Sequence, residues 1–247
     1  MRPLMFWTLS AVFSVSAFAE ADFRNFELNG FRLGMKKDAY MPLIKETCTY
    51  NQGGFRGLLT FEVGETRTKG AMRFVCRPNR EEELDILTGD DFGILQIIRS
   101  KEFSLPENLP TEEHYNSIMK IKEKVMEKYG APVMSKTAAP GQYFFANVGQ
   151  NIFPWNVRSS QATAISCWGD CSDSETDTDG VINLKGSGAL AVLVPYPRTI
   201  YLYQIIVDRE AVQKTEAAYE RKMEENKAVQ ENKAIEDARK SMENIQL

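Results

Sequence analysis

The N-terminal nineteen residues, MRPLMFWTLSAVFSVSAFA, constrain the rest of the chain more than any other segment. One basic residue, Arg2, precedes an apolar run over residues 4–15, and Ala17-Phe18-Ala19 has the small-x-small pattern of a cleavage site. Together these are the three parts of a secretory signal peptide. The apolar run is also shorter than the roughly 20 residues that a membrane-spanning helix needs. We therefore predict export to the periplasm or secretion, with a mature chain that begins at Glu20; an uncleaved anchor is the alternative.

Four cysteines in an exported chain are most simply two disulfides, because compartments outside the cytoplasm are oxidising. Three pairings are possible. We expect Cys167 to pair with Cys171, because the intervening Gly-Asp allows the tight reversal that closes such a short loop. Cys48 then pairs with Cys76 and ties the end of a helix to a strand. Zinc or redox chemistry is disfavoured, because the chain has one histidine, His114, and lacks the Cys-x-x-Cys spacing.

The overall charge of the chain argues against two classes of partner. A net charge of −4 becomes −5 once residues 1–19 are removed, since Arg2 is their only charged side chain. Such a charge disfavours binding to nucleic acid and to anionic membrane surfaces. A hydrophobic content of 43% supplies enough apolar side chains for a packed core. We expect a globular protein without an integral membrane segment after signal cleavage.

The first half of the mature chain has a helical pattern followed by strand patterns. Residues 22–33 alternate apolar and polar side chains around a turn at Asn29-Gly30. A short helix follows and ends near Cys48, and Pro42 breaks its middle unless the regular helix begins there. Strand-like runs come next, at 55–63, 71–77 and 92–99.

The second half repeats this order. Its helix covers residues 112–129, where apolar side chains recur at helical spacing and Gly130 and Pro132 stop the helix. Strand-like runs follow at 142–148, 161–168, 189–194 and 200–207. We therefore predict an α+β fold of helix-plus-antiparallel-sheet units, with two related subdomains over 20–105 and 106–207. One larger sheet is the alternative.

The segment 208–247 differs in composition from everything before it. It contains no Gly, Pro, Cys or Phe and is rich in Ala, Glu and Lys, and two pairs, Glu210–Lys214 and Glu236–Lys240, have the favourable Glu-to-Lys order at i, i+4. This composition predicts one long charged helix. A heptad seam typical of a coiled coil is outlined by Ala228, Ile235 and Met242, with Ala238 and Ile245. A sustained coiled coil needs three or four consistent heptads, which are absent. We expect a solvated helix used for contact or spacing, with oligomerisation through 208–247 as the alternative.

An acidic run, DSETDTDG at 173–180, is similar to the opening of a calcium-binding loop. Glu175, Asp177 and Asp179 alternate before a glycine, as the carboxylates that wrap a hard cation do. The first acidic position is Glu rather than Asp, and position 12 falls on Gly186 instead of a bidentate Glu. A solvated acidic loop is therefore the better interpretation. Ca²⁺ is the single cofactor that the sequence leaves open.

Candidate catalytic and binding residues are few. Ser117 and Lys120 have the Ser-x-x-Lys spacing of some acyl-transfer enzymes, but the companion motifs are missing. Asp90-Asp91 is a carboxylate pair that is explained more simply as a turn between glycines. An aromatic segment outside any strand pattern is a candidate binding patch; it consists of Phe153, Pro154 and Trp155.

Two segments resemble the small periplasmic module typified by BamE, the SmpA/OmlA group of outer-membrane assembly lipoproteins. They are Leu33-Gly34-Met35 at a helix start, and Tyr129-Gly130-Ala131-Pro132 followed by Tyr143-Phe144-Phe145 at a helix stop and first strand. The resemblance implies an α+β envelope module that binds other proteins, and it carries over no catalytic residues. Pro42 and the absence of a lipobox cysteine depart from that group.

These observations favour an exported, non-enzymatic envelope protein that acts by binding a protein partner or a ligand. In this interpretation the C-terminal helix serves for contact or spacing. A secreted carboxylate-dependent hydrolase, supported by calcium, is the alternative, because acidic residues are plentiful and their separation in sequence says nothing about their separation in space.

Overall fold

The computed structural model of the protein describes residues 22–49, 58–62, 70–148, 158–173 and 182–243. The predicted signal peptide at 1–19 lies outside these residues. The helices are α1 (Lys37–Thr47), α2 (Thr111–Tyr129) and α3 (Arg209–Glu243), and Phe23–Asn25 forms a turn of 3₁₀-helix. The strands are β1 (Leu58–Glu62), β2 (Ala71–Asn79), β3 (Glu82–Gly89), β4 (Gly93–Ser104), β5 (Met134–Thr137), β6 (Phe144–Val148), β7 (Arg158–Ala162), β8 (Ala164–Asp173), β9 (Ile182–Tyr196) and β10 (Thr199–Val207).

The ten strands belong to one sheet, which confirms the α+β class. Its order is β1-β2-β3-β4-β10-β9-β6-β7, and β8 pairs with both β9 and β5. The pairing is antiparallel except for a single parallel contact between β6 and β9. Strands β4 and β10 pair continuously from Thr199↔Ser104 to Val207↔Gln96. The subdomains predicted over 20–105 and 106–207 therefore share one sheet.

The main core lies between one face of this sheet and the helices α1 and α2. Trp168 is almost completely buried there; its Nε1 donates a hydrogen bond to the carbonyl oxygen of Gly130 at 3.2 Å. The ring of Phe26 meets Trp168 edge-on, with 5.4 Å between ring centroids. The alternating pattern over 22–33 predicts inward-facing side chains at Phe23, Phe26, Leu28, Phe31 and Leu33. The first four are buried in the same core, and Leu33 packs against it while partly exposed. No helix in the described part of the chain is long and apolar enough to cross a membrane.

Two local predictions for the N-terminal region need correction. Residues 22–33 form a 3₁₀ turn and a single bridge, Leu28↔Phe31, rather than a strand pair, around positive φ angles at Asn29 and Gly30. Pro42 lies inside α1 and does not break it. Pro42 and Asp38 are both exposed, so the carbonyl group that the proline leaves without a helical donor can be hydrated.

Strand predictions were incomplete in two places. β3 and β5 have no counterpart among the predicted runs, and the run at 161–168 is divided between β7 and β8 at Thr163. β3 begins with the charged residues Glu82 and Glu83, at the end of the segment 78–83 whose composition predicts a turn. It forms because β2 and β4 pair with it on both sides along most of its length.

Both predicted disulfides are present, and the described residues contain no free cysteine. Cys48–Cys76 links the end of α1 to β2, as expected. Cys167–Cys171 does not close a tight reversal, because both cysteines lie within β8. The pairing register shifts between Gly169 and Cys171, and this bulge brings the two Cα atoms to 6.1 Å, whereas four residues of regular strand would span about 13 Å.

Candidate functional site

The start of α3 is fixed to the sheet by a compact set of hydrogen bonds. Asp208 caps the helix: its Oδ1 accepts from the backbone N–H of Ala211 at 3.0 Å, and its own N–H donates to the carbonyl oxygen of Leu95 at 3.0 Å. Ser187 on β9 joins this cap, since its Oγ donates to Asp208 Oδ1 at 3.3 Å and accepts from the N–H of Arg209 at 2.9 Å. The direction of α3 is therefore set by both β4 and β9.

The first turns of α3 lie directly on the ends of strands β2 and β3. A Cβ atom on Gly89 would be 2.6 Å from Thr215 Oγ1, and one on Gly70 would be 2.9 Å from Tyr219 Cβ. Glycine at these two positions allows the close approach. Beyond Tyr219, every residue of α3 from 220 to 240 is exposed. At 1.5 Å per residue, this exposed part of the helix is about 30 Å long.

An open groove with a volume of about 670 Å³ lies where α3 leaves the body. We call it the α3 groove. Its apolar lining comes from the start of β2, the β3–β4 turn and α3; it consists of Ala71, Met72, Phe92, Ala218, Tyr219 and Met223. The volume falls within the range of roughly 300–1,000 Å³ that is typical of ligand pockets. The α3 groove is the candidate functional site.

The polar lining of the α3 groove carries charges of both signs. Apart from the buried Thr215, whose hydroxyl donates within α3, it consists of Lys37 at the start of α1, Asp90 and Asp91 in the β3–β4 turn, and Lys222 and Asn226 on α3. Within the described residues, none of these five side chains forms an ion pair or a hydrogen bond with another side chain. The neighbouring Lys36 binds the turn through its Nζ, which donates to the backbone oxygen of Asp91 at 2.5 Å. The groove therefore presents charges that have no side-chain partner among the described residues, beside an apolar surface.

The residues that the sequence analysis considered for catalysis and disfavoured lie apart in the structure. His114 Nε2 lies 3.0 Å from the carbonyl oxygen of Tyr196 and ties α2 to the β9–β10 turn. Ser117 Oγ donates to the carbonyl oxygen of Glu113 at 2.9 Å, one turn back on the same helix, and Lys120 is exposed. Of the residues considered for catalysis from the sequence, only Asp90 and Asp91 line the α3 groove.

Lys122 on α2 has a shifted pKa although no sequence motif includes it. Burial lowers the pKa of Lys122, whose Nζ donates to Thr137 Oγ1 at 2.6 Å. Lys122 and the buried Ser166 line the same small cavity between α2 and the sheet. A serine activated by a lysine needs access to substrate. This cavity is too small to hold a water molecule, so the pair has a packing role.

Two predicted sites lie outside the residues that the structure describes. They are the calcium candidates Glu175, Asp177 and Asp179 and the aromatic patch of Phe153, Pro154 and Trp155. Among the described residues, no group of three or more His, Cys, Asp or Glu side chains is placed to hold a metal ion.

No protein-family model matches the chain, and neither curated proteins nor solved structures show a match to it. The resemblance to the BamE group therefore stays a prediction from the quoted residues. The α3 groove and α3 itself are the features from which a function can be argued.

Proposed function

We propose that the protein is an exported, non-enzymatic protein that acts by binding a polypeptide partner at the α3 groove and along α3. The observation that carries this proposal is the pairing of an apolar lining with unpaired charges at the point where a long exposed helix leaves the body. Met72 and Met223 suit such a surface, because the flexible, polarizable methionine side chain adapts to different apolar partners.

The proposed location is the periplasm or the medium outside the cell. Two disulfides are typical of proteins that fold in an oxidising compartment. The signal-peptide pattern at 1–19 points the same way. An envelope protein is therefore the class of partner that we expect.

The charged surface of α3 supports local contact with a partner rather than a coiled coil, which needs a continuous apolar stripe along the helix. Where the side chains of α3 are described, up to residue 240, the exposed large apolar residues are Met223, Val229 and Ile235, six positions apart. At about 100° per residue these side chains point in three directions roughly 120° apart, so they make no stripe. Ion pairs at i, i+4 stabilise the exposed helix, for example Lys240 Nζ to Glu236 Oε1 at 2.6 Å.

One observation supports the alternative function, a carboxylate-dependent hydrolase: Asp90 and Asp91 line the α3 groove. Both side chains are exposed at the tip of a turn. The described lining of the groove contains no His, Cys or Ser side chain, and its one hydroxyl, that of the buried Thr215, donates to the carbonyl oxygen of Ala211 within α3. A hydrolase here would therefore depend on two solvated carboxylates. Binding is the function that this lining supports better.

The proposal is tested by retrieving partners with the immobilised mature protein from an envelope extract, with a heat-denatured sample as the control. We expect the folded protein to retain one polypeptide, or a second copy of itself, in a fixed molar ratio. Loss of retention, together with hydrolysis of a peptide or glycan substrate that disappears in an Asp90→Asn/Asp91→Asn variant, would establish the hydrolase instead.

A further inference from the structure

We propose that the occupant of the α3 groove is α3 of a second copy of this chain, in an antiparallel twofold dimer. This inference rests on the proposed function and names the polypeptide that the groove binds. Val229 and Lys233 of one copy would enter the groove of the other, and the same contact would be made in reverse.

The side of α3 that lines the groove continues past its end. Tyr219 and Asn226 belong to the lining, and Lys233 follows at the same spacing of seven residues. At about 100° per residue, Lys233 and Asp237 point within roughly 20° of Asn226, and Val229 within roughly 60°. Ile235 points about 180° away. The groove-facing side of the exposed helix thus carries one large apolar residue and charges of both signs.

The side chains on this side of the helix complement those that line the groove. Val229 is 66% exposed and can cover the apolar lining around Met72 and Met223. Lys233 supplies a cation for the unpaired carboxylates of Asp90 and Asp91. Asp237 supplies an anion for the lysines of the groove. An anionic lipid or a nucleic acid would be repelled by the two carboxylates, whereas this segment complements both signs.

The segment cannot fill the groove of its own chain. Residues 209–243 form one continuous helix, and the groove lining ends at Asn226. Val229 and Lys233 lie about 4.5 Å and about 10 Å further along the same rigid axis. A second helix that runs antiparallel brings them back level with residues 219–226. The twofold axis then passes near Asn226, and both grooves are filled in a closed, self-complementary contact.

The test measures the molar mass of the mature protein over a concentration series by light scattering. We expect a dimer whose dissociation constant rises at least about tenfold in Val229→Ser. Ile235→Ser is the matched control, because Ile235 is 68% exposed but lies on the opposite side of the helix. A wild-type protein that stays monomeric, or an Ile235→Ser variant as weakened as Val229→Ser, would overturn the proposal.

A charge exchange identifies the contact. Lys233→Glu and Asp90→Lys/Asp91→Lys should each be monomeric, and an equimolar mixture of the two should form a heterodimer, because both grooves then face an opposite charge. A mixture that stays monomeric contradicts the proposal.

Failure of the dimer and failure of the proposed function give different results. If wild type is monomeric but Met223→Glu abolishes capture of another envelope protein, the proposed function stands and the dimer proposal fails. If no polypeptide binds at all, both fail.

Discussion

A buried carboxylate, that of Glu82 on β3, shows how the sheet accommodates a charged sequence. The side chain is 5% exposed and pairs with the guanidinium of Arg99, which also donates to Gln204 Oε1 at 3.0 Å. Burial raises the pKa of Glu82, but the Coulomb attraction of Arg99 and hydrogen bonds from Arg99, Asn29 and Asn79 outweigh it and hold the pKa below its ordinary value of 4.5. The carboxylate is therefore charged in the folded protein.

Replacing Glu82 with Gln should destabilise the fold strongly, because Arg99 would be left buried without its anion. We expect a loss of about 3 kcal/mol in the free energy of unfolding, measured by urea denaturation at neutral pH. Glu83→Gln is the matched control. Its ion pair with Arg77, at 3.3 Å, is more than one-third exposed on both sides, so the loss should stay below about 1 kcal/mol. Equal losses in the two variants would contradict this prediction.

The effect of Glu82→Gln on the free energy of unfolding should depend on pH. Because the pKa of Glu82 is lowered on folding, its contribution to stability is present above its ordinary pKa of 4.5 and is lost as the pH falls towards the folded value. The difference in unfolding free energy between wild type and Glu82→Gln should therefore narrow below about pH 4.5. A difference that stays constant from neutral pH into that acidic range would show that Glu82 acts without its charge.

The helix α3 packs closely against two glycines of the sheet, Gly70 and Gly89. Thr215 is buried against Gly89 at the end of β3, and its Oγ1 donates to the carbonyl oxygen of Ala211 at 2.9 Å. Val212, one turn earlier, packs with Leu87 and Leu95 on the sheet face opposite α1 and α2. These few contacts decide where the exposed part of α3 points, and hence the shape of the groove.

Gly89→Ala should displace α3, because the added methyl group would meet Thr215 Oγ1 at 2.6 Å. We expect a loss of about 1–3 kcal/mol and faster hydrogen exchange over residues 211–219. Thr215→Ala in the same chain removes the atoms that clash and should restore most of the protection. A double variant that exchanges as fast as Gly89→Ala would show that the glycine is needed for another reason.

Helices α2 and α3 were predictable and strands β3 and β5 were not, for one physical reason. The signals for α2 are local, such as Gly130 at its end, and those for α3 are Glu–Lys pairs within a single helix. β3 contains Glu82, Glu83 and Asp85, which suit a turn when the segment is considered alone. The arginines that pair with them lie on the neighbouring strands β2 and β4, and strand pairing brings them into contact across 6 to 17 residues of sequence.

For the molecule as a whole, the two disulfides should contribute unequally to stability. Cys48 and Cys76 are 28 residues apart, and Cys167 and Cys171 are 4 apart. Chain-entropy arguments give about 3.6 kcal/mol for the longer loop and about 2 kcal/mol for the shorter one. We expect Cys48→Ala/Cys76→Ala to lose more unfolding free energy in urea than Cys167→Ala/Cys171→Ala. The reverse order would mean that the short disulfide stabilises the bulge in β8 by more than loop closure.

The candidate site was only partly visible in the sequence. Asp90-Asp91 was recognised as a turn, and 208–247 as a long charged helix, but nothing linked the two segments. They meet because α3 folds back onto β2 and β3, where Gly70 and Gly89 leave room for it. The packing of α3 against the sheet depends on contacts between residues that are distant in sequence. Hydrophobic periodicity and short motifs give no information about such contacts.

The α+β class, the disulfide partners and the long C-terminal helix follow from local features: alternating patterns, cysteine number and spacing, and Glu–Lys spacing. Export is predicted from a local feature too, the short apolar run at residues 4–15. The union of the described strands in one sheet, the largely buried Glu82–Arg99 pair and the α3 groove were decided only by tertiary structure. The physical reason is that local features fix the conformation of neighbouring residues. A sheet register, a buried charge and a groove are each stabilised by partners that only the folded chain brings together.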